Sequence, residues 1–120
     1  MEIAAKIVIG LVAFLHLYIL YFEMFAWTTV GKRTFGKRRE GFYEETKMLA
    51  ANQGLYNGFL AAGLIWSFFI SNAEWSQNVA LFFLGCVAAA GIYGAATADK
   101  KIFFVQTVPA VIGILLLLMK

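Results

Sequence analysis

Polar side chains set inside long apolar runs are where this sequence could do chemistry. His16 and Glu23 lie seven residues apart in one such run, so they share a helix face. Their separation is about 10 Å along the axis. That is too far for a direct hydrogen bond or one shared metal ion. No HxxxH or ExxH spacing accompanies them, and no metal site is expected. A lone histidine cannot supply both axial ligands of a haem, and no cofactor is expected. A second run carries Gln53 and Asn57 at i, i+4, with Tyr56 alongside and Asn52 just before. Later runs add Tyr93, Thr97, Gln106 and Thr107. A histidine and a carboxylate beside an apolar molecule can move protons. A few amides in apolar walls can orient the polar end of a ligand.

The elements that must position these residues follow from composition. Of 120 residues, 62% are apolar and 14% are charged, against about 45–50% and about 25% in a soluble domain. So small a globule lacks the polar surface to cover itself in water. That excludes a soluble enzyme, a disordered tail and a nucleic-acid-binding module. The apolar residues fall into four spans, at about 7–27, 48–70, 79–98 and 102–119. Roughly 20 residues cross the hydrocarbon layer as a helix, and a backbone without water must bond within itself. The first span is too long for a signal peptide, contains Glu23, and is followed by no small-x-small cleavage site. The expected fold is an all-α integral membrane protein: one domain over residues 1–120, with four transmembrane helices in an antiparallel up-down bundle.

The connections set its orientation. The loop at 31–47 holds Lys32, Arg33, Lys37, Arg38, Arg39 and Lys47, with Glu40, Glu44 and Glu45 between them. With Lys100 and Lys101 this makes eight basic residues on one side, against Lys6 and Lys120 on the other. Basic loops stay cytoplasmic, so both termini are expected outside. Ser71-Asn72-Ala73-Glu74 reads as a capping box, with Ile70 and Trp75 placed for a hydrophobic staple. Asp99 is a candidate N-cap. Cys86, Ala90, Gly94 and Ala98 form a small-residue ridge, read first as a packing spine within the chain and second as a seam between copies in a homo-oligomer. Pro109 cannot donate to Val105, which predicts a kink near Gln106.

With span midpoints at the bilayer centre, His16 and Asn57 lie within about 3 Å of the midplane. Glu23, Asn52, Gln53, Tyr93 and Gln106 lie roughly 7–10 Å from it, all toward the cytoplasm. The outer half is nearly bare. Asn52 and Thr107 read mainly as interhelical glue. Glu23 reads as functional, because an ionisable residue inside a span is costly.

His16-Leu17-Tyr18-Ile19, Glu23-Met24-Phe25-Ala26-Trp27 and the segment from Ala50 through Asn52-Gln53-Gly54-Leu55-Tyr56-Asn57-Gly58 to Gly63 resemble a bacterial membrane family known as domain of unknown function 1304. Gly91-Ile92-Tyr93-Gly94 and Gln106 with Pro109-Ala110 resemble its later segments. The resemblance implies four spans, a bacterial plasma-membrane setting, and one motif set containing His16, Glu23, Asn52, Gln53, Tyr56 and Asn57. It implies no activity.

Three functions compete on the residues. The first is binding of a small amphiphilic or apolar molecule in a cytoplasm-facing polar pocket. Its ligand-binding residues would be His16, Glu23, Gln53, Tyr56, Asn57 and Gln106, with Asn52 and Tyr93 in support. The second is a proton-coupled transporter working through Glu23. The third is an intramembrane enzyme such as an isomerase. No nucleophile elbow or nucleotide-binding loop supports catalysis, and membrane lipid is the expected partner, not nucleic acid.

Overall fold

The computed structural model describes residues 1–119. Lys120, counted above on the outer side, lies outside them. Among the described residues the regular elements are helical, in the order α1 (Ile3–Phe25), a π-helical turn (Trp27–Gly31), α2 (Lys32–Phe35), α3 (Phe42–Glu45), α4 (Lys47–Phe68), α5 (Ala73–Thr97), a second π-helical turn (Phe103–Thr107) and α6 (Val108–Leu118). Two of the four expected spans, α1 and α5, are both long and apolar enough to cross a membrane. The other two differ for separate reasons. Helix α4 has the length, but Asn52, Gln53, Asn57 and its glycines dilute its apolar character. The run Phe103–Leu118 is apolar but shorter. At 1.5 Å per residue its 16 residues reach about 24 Å.

The chain packs as two compact units. One comprises Met1–Phe14 and the chain from Leu60 onward. Its core joins Ile9 and Val12 of α1, Leu64 of α4, Leu84 and Val87 of α5, and Leu117 of α6, each at most 1% exposed. Helix α5 begins at Ala73, and Asn72 rather than Ser71 is its cap: the Asn72 side chain accepts from the Trp75 N–H at 2.9 Å. Ser76 Oγ then donates to the Ser67 carbonyl at 2.6 Å, and Ser67 Oγ to that of Leu64 at 2.6 Å. These bonds satisfy buried hydroxyls where α4 meets α5.

The small-residue ridge is not the buried face of α5. Ser76, Ala80, Leu84, Val87 and Gly91 are buried, whereas Ala90 and Ala98 are exposed and Cys86 and Gly94 partly so. Within the chain, larger side chains fill the core and the small ones serve single close approaches. A Cβ on Gly91 would collide with Thr107 Oγ1 and sit 2.8 Å from the Thr107 nitrogen. That contact accompanies the second π-helical turn. Pro109 has no N–H for Val105, and the helix widens there: the Val108 N–H bonds Phe103. Thr107 Oγ1 donates to the Ala88 carbonyl at 2.9 Å.

The other unit is Leu15–Phe59. Ile19, Phe22 and Ala26 form its core, with Leu15, Trp27, Val30 and Phe35 packed against them. The long basic loop is far from featureless. Trp27 Nε1–H donates to Thr46 Oγ1 at 2.9 Å, and the indole packs against Phe35 and Tyr43 with ring centroids 5.7 and 5.3 Å away. Tyr43 is buried, and its hydroxyl donates to the Gly36 carbonyl at 2.6 Å. Arg39 grips Glu45 with both terminal nitrogens, at 3.1 and 2.7 Å. Gly41 starts α3 at φ +83°, a left-handed conformation that costs other residues about 1–2 kcal/mol.

Candidate ligand-binding site

Glu23 lies near the C-terminal end of α1, between apolar neighbours. Its residue is 3% exposed. Gln53 and Asn57 lie one turn apart on α4, so both amides leave the helix on the same side. Gln53 Nε2 donates to one carboxylate oxygen of Glu23 at 2.8 Å, and Asn57 Nδ2 to the other at 2.8 Å. Both partners are neutral amides. With their N–H groups turned toward Glu23, their carbonyl oxygens remain as acceptors. The result is a compact set of oxygen acceptors around a carboxylate, suited to a hydrogen-bond donor or a cation.

Close approach of the two helices depends on Gly54, which lies between the two amides. A Cβ at this position would stand 2.8 Å from Met24 Cγ, 2.9 Å from Glu23 Cβ and 3.2 Å from the Leu20 carbonyl oxygen. One turn later, a Cβ on Gly58 would meet Leu20 Cδ1. The Gly54/Gly58 pair was visible in the sequence as a small-xxx-small spacing, but the polar residues around it drew the reading instead. The Trp27–Thr46 bond and the folded loop had no comparable signal, since nothing in the spacing links those residues.

The remaining expected site residues fall in different places. His16 belongs to the same unit as Glu23 and is fully buried. Tyr56 is 56% exposed and packs on Phe59, with ring centroids 6.0 Å apart, away from the carboxylate cluster. It stands about 100° round the helix from the buried Asn57, which it precedes by one residue. Asn52 is exposed. Tyr93 is 72% exposed on α5. Gln106 is buried in the other unit, its Cβ lying 3.0 Å from where a Cβ on Gly91 would sit. Among the described residues no three or more His, Cys, Asp or Glu side chains are grouped to hold a metal.

Known proteins match this chain along nearly its whole length. A family described as "Protein of unknown function (DUF1304)" matches residues 10–118. The uncharacterized protein YpaA of Lactococcus lactis subsp. lactis (strain IL1403) is 32% identical over 117 residues, covering 96% of this chain and 97% of the relative. No solved structure matches. The family match takes in the whole Glu23–Gln53–Asn57 cluster and the π-helical turn before α6, and the chain therefore belongs to the DUF1304 family.

Proposed function

We infer that this protein is a multi-pass protein of the bacterial plasma membrane, with four crossing helices, both termini outside and the basic loop in the cytosol. Its function in this reading is to bind a small amphiphilic molecule in the inner half of the bilayer. The observation that carries the reading is the Glu23 carboxylate, recessed from solvent and held by the Gln53 and Asn57 amides. A carboxylate in an apolar span is costly, and apolar packing alone would be served better by leucine. The oxygen-rich cluster selects a ligand whose polar end donates hydrogen bonds, and the surrounding apolar residues receive its tail. His16, buried two turns toward the midplane, bounds the site on the tail side.

The test is retention of a co-purifying molecule. Protein extracted in mild detergent is washed and denatured, and the released organic phase is read by mass spectrometry beside Glu23→Gln and an exposed control, Tyr93→Phe. A molecule released by wild type and Tyr93→Phe but depleted in Glu23→Gln supports the reading. Identical release from all three overturns it. A transporter would use the same carboxylate to exchange a proton for its substrate, and proton-driven flux in vesicles abolished by Glu23→Gln would favour that reading.

A further inference from the structure

The groups that act on the buried Glu23 carboxyl are Asn57 and Gln53. Both are neutral amides, so they supply hydrogen bonds and no positive charge. An ionised carboxylate taken out of water calls for an opposite charge. A carboxylate can only accept, so both amide nitrogens turn toward it and both amide oxygens turn away. Those two oxygens and the spare lone pairs of Glu23 are the acceptors offered to a ligand. All three side chains belong to one compact unit. Glu23 and Asn57 are 3% and 7% exposed, whereas Gln53 is exposed. The carboxylate is therefore reached from the Gln53 side, and Gln53 is the partner able to swing away.

Comparison of donors decides the class of ligand. A hydroxyl offers Glu23 the kind of bond that the amides already make. An ammonium offers that bond with charge, which makes it roughly twice as strong. A quaternary ammonium brings charge but no N–H. A guanidinium pairs with both carboxylate oxygens at once, and would have to displace the buried Asn57 amide as well. Gly54 holds α4 close against Glu23 and Leu20, which favours a small head. We propose that the Glu23–Gln53–Asn57 cluster binds the primary ammonium of an apolar amine. Its nitrogen replaces Gln53 Nε2 on Glu23, one donor for another, and its remaining N–H groups reach the amide oxygens of Gln53 and Asn57. This rests on the ligand-binding function inferred above and names the polar end of the ligand.

The experiment uses the full chain in phosphatidylcholine nanodiscs at neutral pH. Titration calorimetry compares n-hexylamine, 1-hexanol and hexyltrimethylammonium, with empty nanodiscs subtracted for partition into lipid. Hexylammonium is expected to bind saturably and about tenfold or more tightly than the other two. Glu23→Gln keeps an acceptor and removes the charge. It is expected to weaken hexylammonium about tenfold or more and to leave hexanol nearly unchanged. A second pair of variants uses the exposed position 53, where the fold tolerates change. Gln53→Lys tethers an ammonium beside Glu23 and is expected to abolish hexylammonium binding, whereas the uncharged Gln53→Met retains it. Unchanged helical circular dichroism verifies the fold of each variant. Hexanol binding as tight as that of hexylammonium, and lost equally in Glu23→Gln, overturns the ammonium assignment while leaving an amphiphile site at Glu23. Displacement of hexylammonium by equimolar sodium overturns it too, because the cluster would then be an inorganic cation site. So does full hexylammonium affinity in Gln53→Lys. Absence of saturable hexylammonium binding overturns the proposal, and the co-purifying molecule then decides separately whether Glu23 binds an amphiphile at all.

Discussion

Glu23 accepts one amide hydrogen on each oxygen, so the effect of replacing it depends on which acceptors survive. Glu23→Ala strands the buried Asn57 donor, at about 1–3 kcal/mol, whereas the exposed Gln53 amide loses only its partner. Glu23→Gln keeps one acceptor oxygen, and a flip of either Asn57 or Gln53 lets the new amide donate in turn. Its stability loss is expected to be the smaller by about 1 kcal/mol or more, measured by denaturant unfolding in mixed micelles. Equal losses for the two variants would mean that the amide bonds contribute little. Gly54→Ala adds a methyl to the place where α4 meets Glu23, Met24 and Leu20. Overpacking of this kind costs about 1–3 kcal/mol, and because the helices must part to admit it, the amide contacts weaken too. The double variant Gly54→Ala/Glu23→Gln is therefore expected to lose less than the sum of the two single losses. Residue types and the i, i+4 spacing made Glu23, Gln53 and Asn57 legible in the sequence as a group. The exposed position of Tyr56 was not legible, because membership in a motif says nothing about which side of a helix a residue takes.

At the scale of elements, the start of α5 isolates one capping interaction. Asn72→Ala removes the acceptor of the Trp75 N–H and is expected to cost about 1 kcal/mol. Ser71→Ala should leave stability nearly unchanged. The capping-box reading assigned the cap one residue too early, since Ser-x-x-Glu and Asn-x-x-Trp overlap and only backbone geometry separates them. In the basic loop, Arg39 holds the Glu45 carboxyl below the usual carboxylate range, by hydrogen bonding first and by charge second. A carboxyl depressed in the folded loop contributes order above its unfolded value, near pH 4, and loses it as pH falls through the lower folded value. In a Trp66→Phe/Trp75→Phe background, Trp27 emission is expected to stay constant from neutral pH down to about pH 4 and to change below it. Glu45→Gln should abolish that acid transition. High salt should weaken the pair at every pH, because both partners are exposed.

At the scale of the whole molecule, composition and the distribution of charge made the helical character and the apolar spans readable. Two of those spans have the length and apolar content of membrane-crossing helices. The polar load of α4 and the shortness of the last helical run separate the other two from them. The proposed orientation makes its own prediction. In a Cys86→Ala background, Trp75→Cys is expected to react with an impermeant maleimide on intact cells, and Lys37→Cys only after permeabilisation. Reaction at position 37 on intact cells would invert the topology and move the carboxylate cluster to the outer half of the bilayer. What composition could not reveal is the order within the basic loop. Its stability comes from Trp27, Tyr43 and Thr46 meeting across the chain, and such contacts leave no periodic trace.

The π-helical turn at Phe103–Thr107 amounts to one surplus residue carried inside a helix. That makes the last helical run tolerant of a change in length. Deleting Val105 would let the backbone close into an ordinary α-helix. Gln106, Thr107, Ala110, Gly113 and Leu117 would keep their mutual phase, and the Asp99–Lys101 turn would rotate by about one residue, roughly 100°. Pro109 opposes that closure, because its ring would still press on the carbonyl four positions earlier. Shortening and proline loss are thus coupled. Relatives of this chain that are one residue shorter here should carry a residue other than proline at the aligned position, and the deletion should be tolerated in this protein only together with Pro109→Ala.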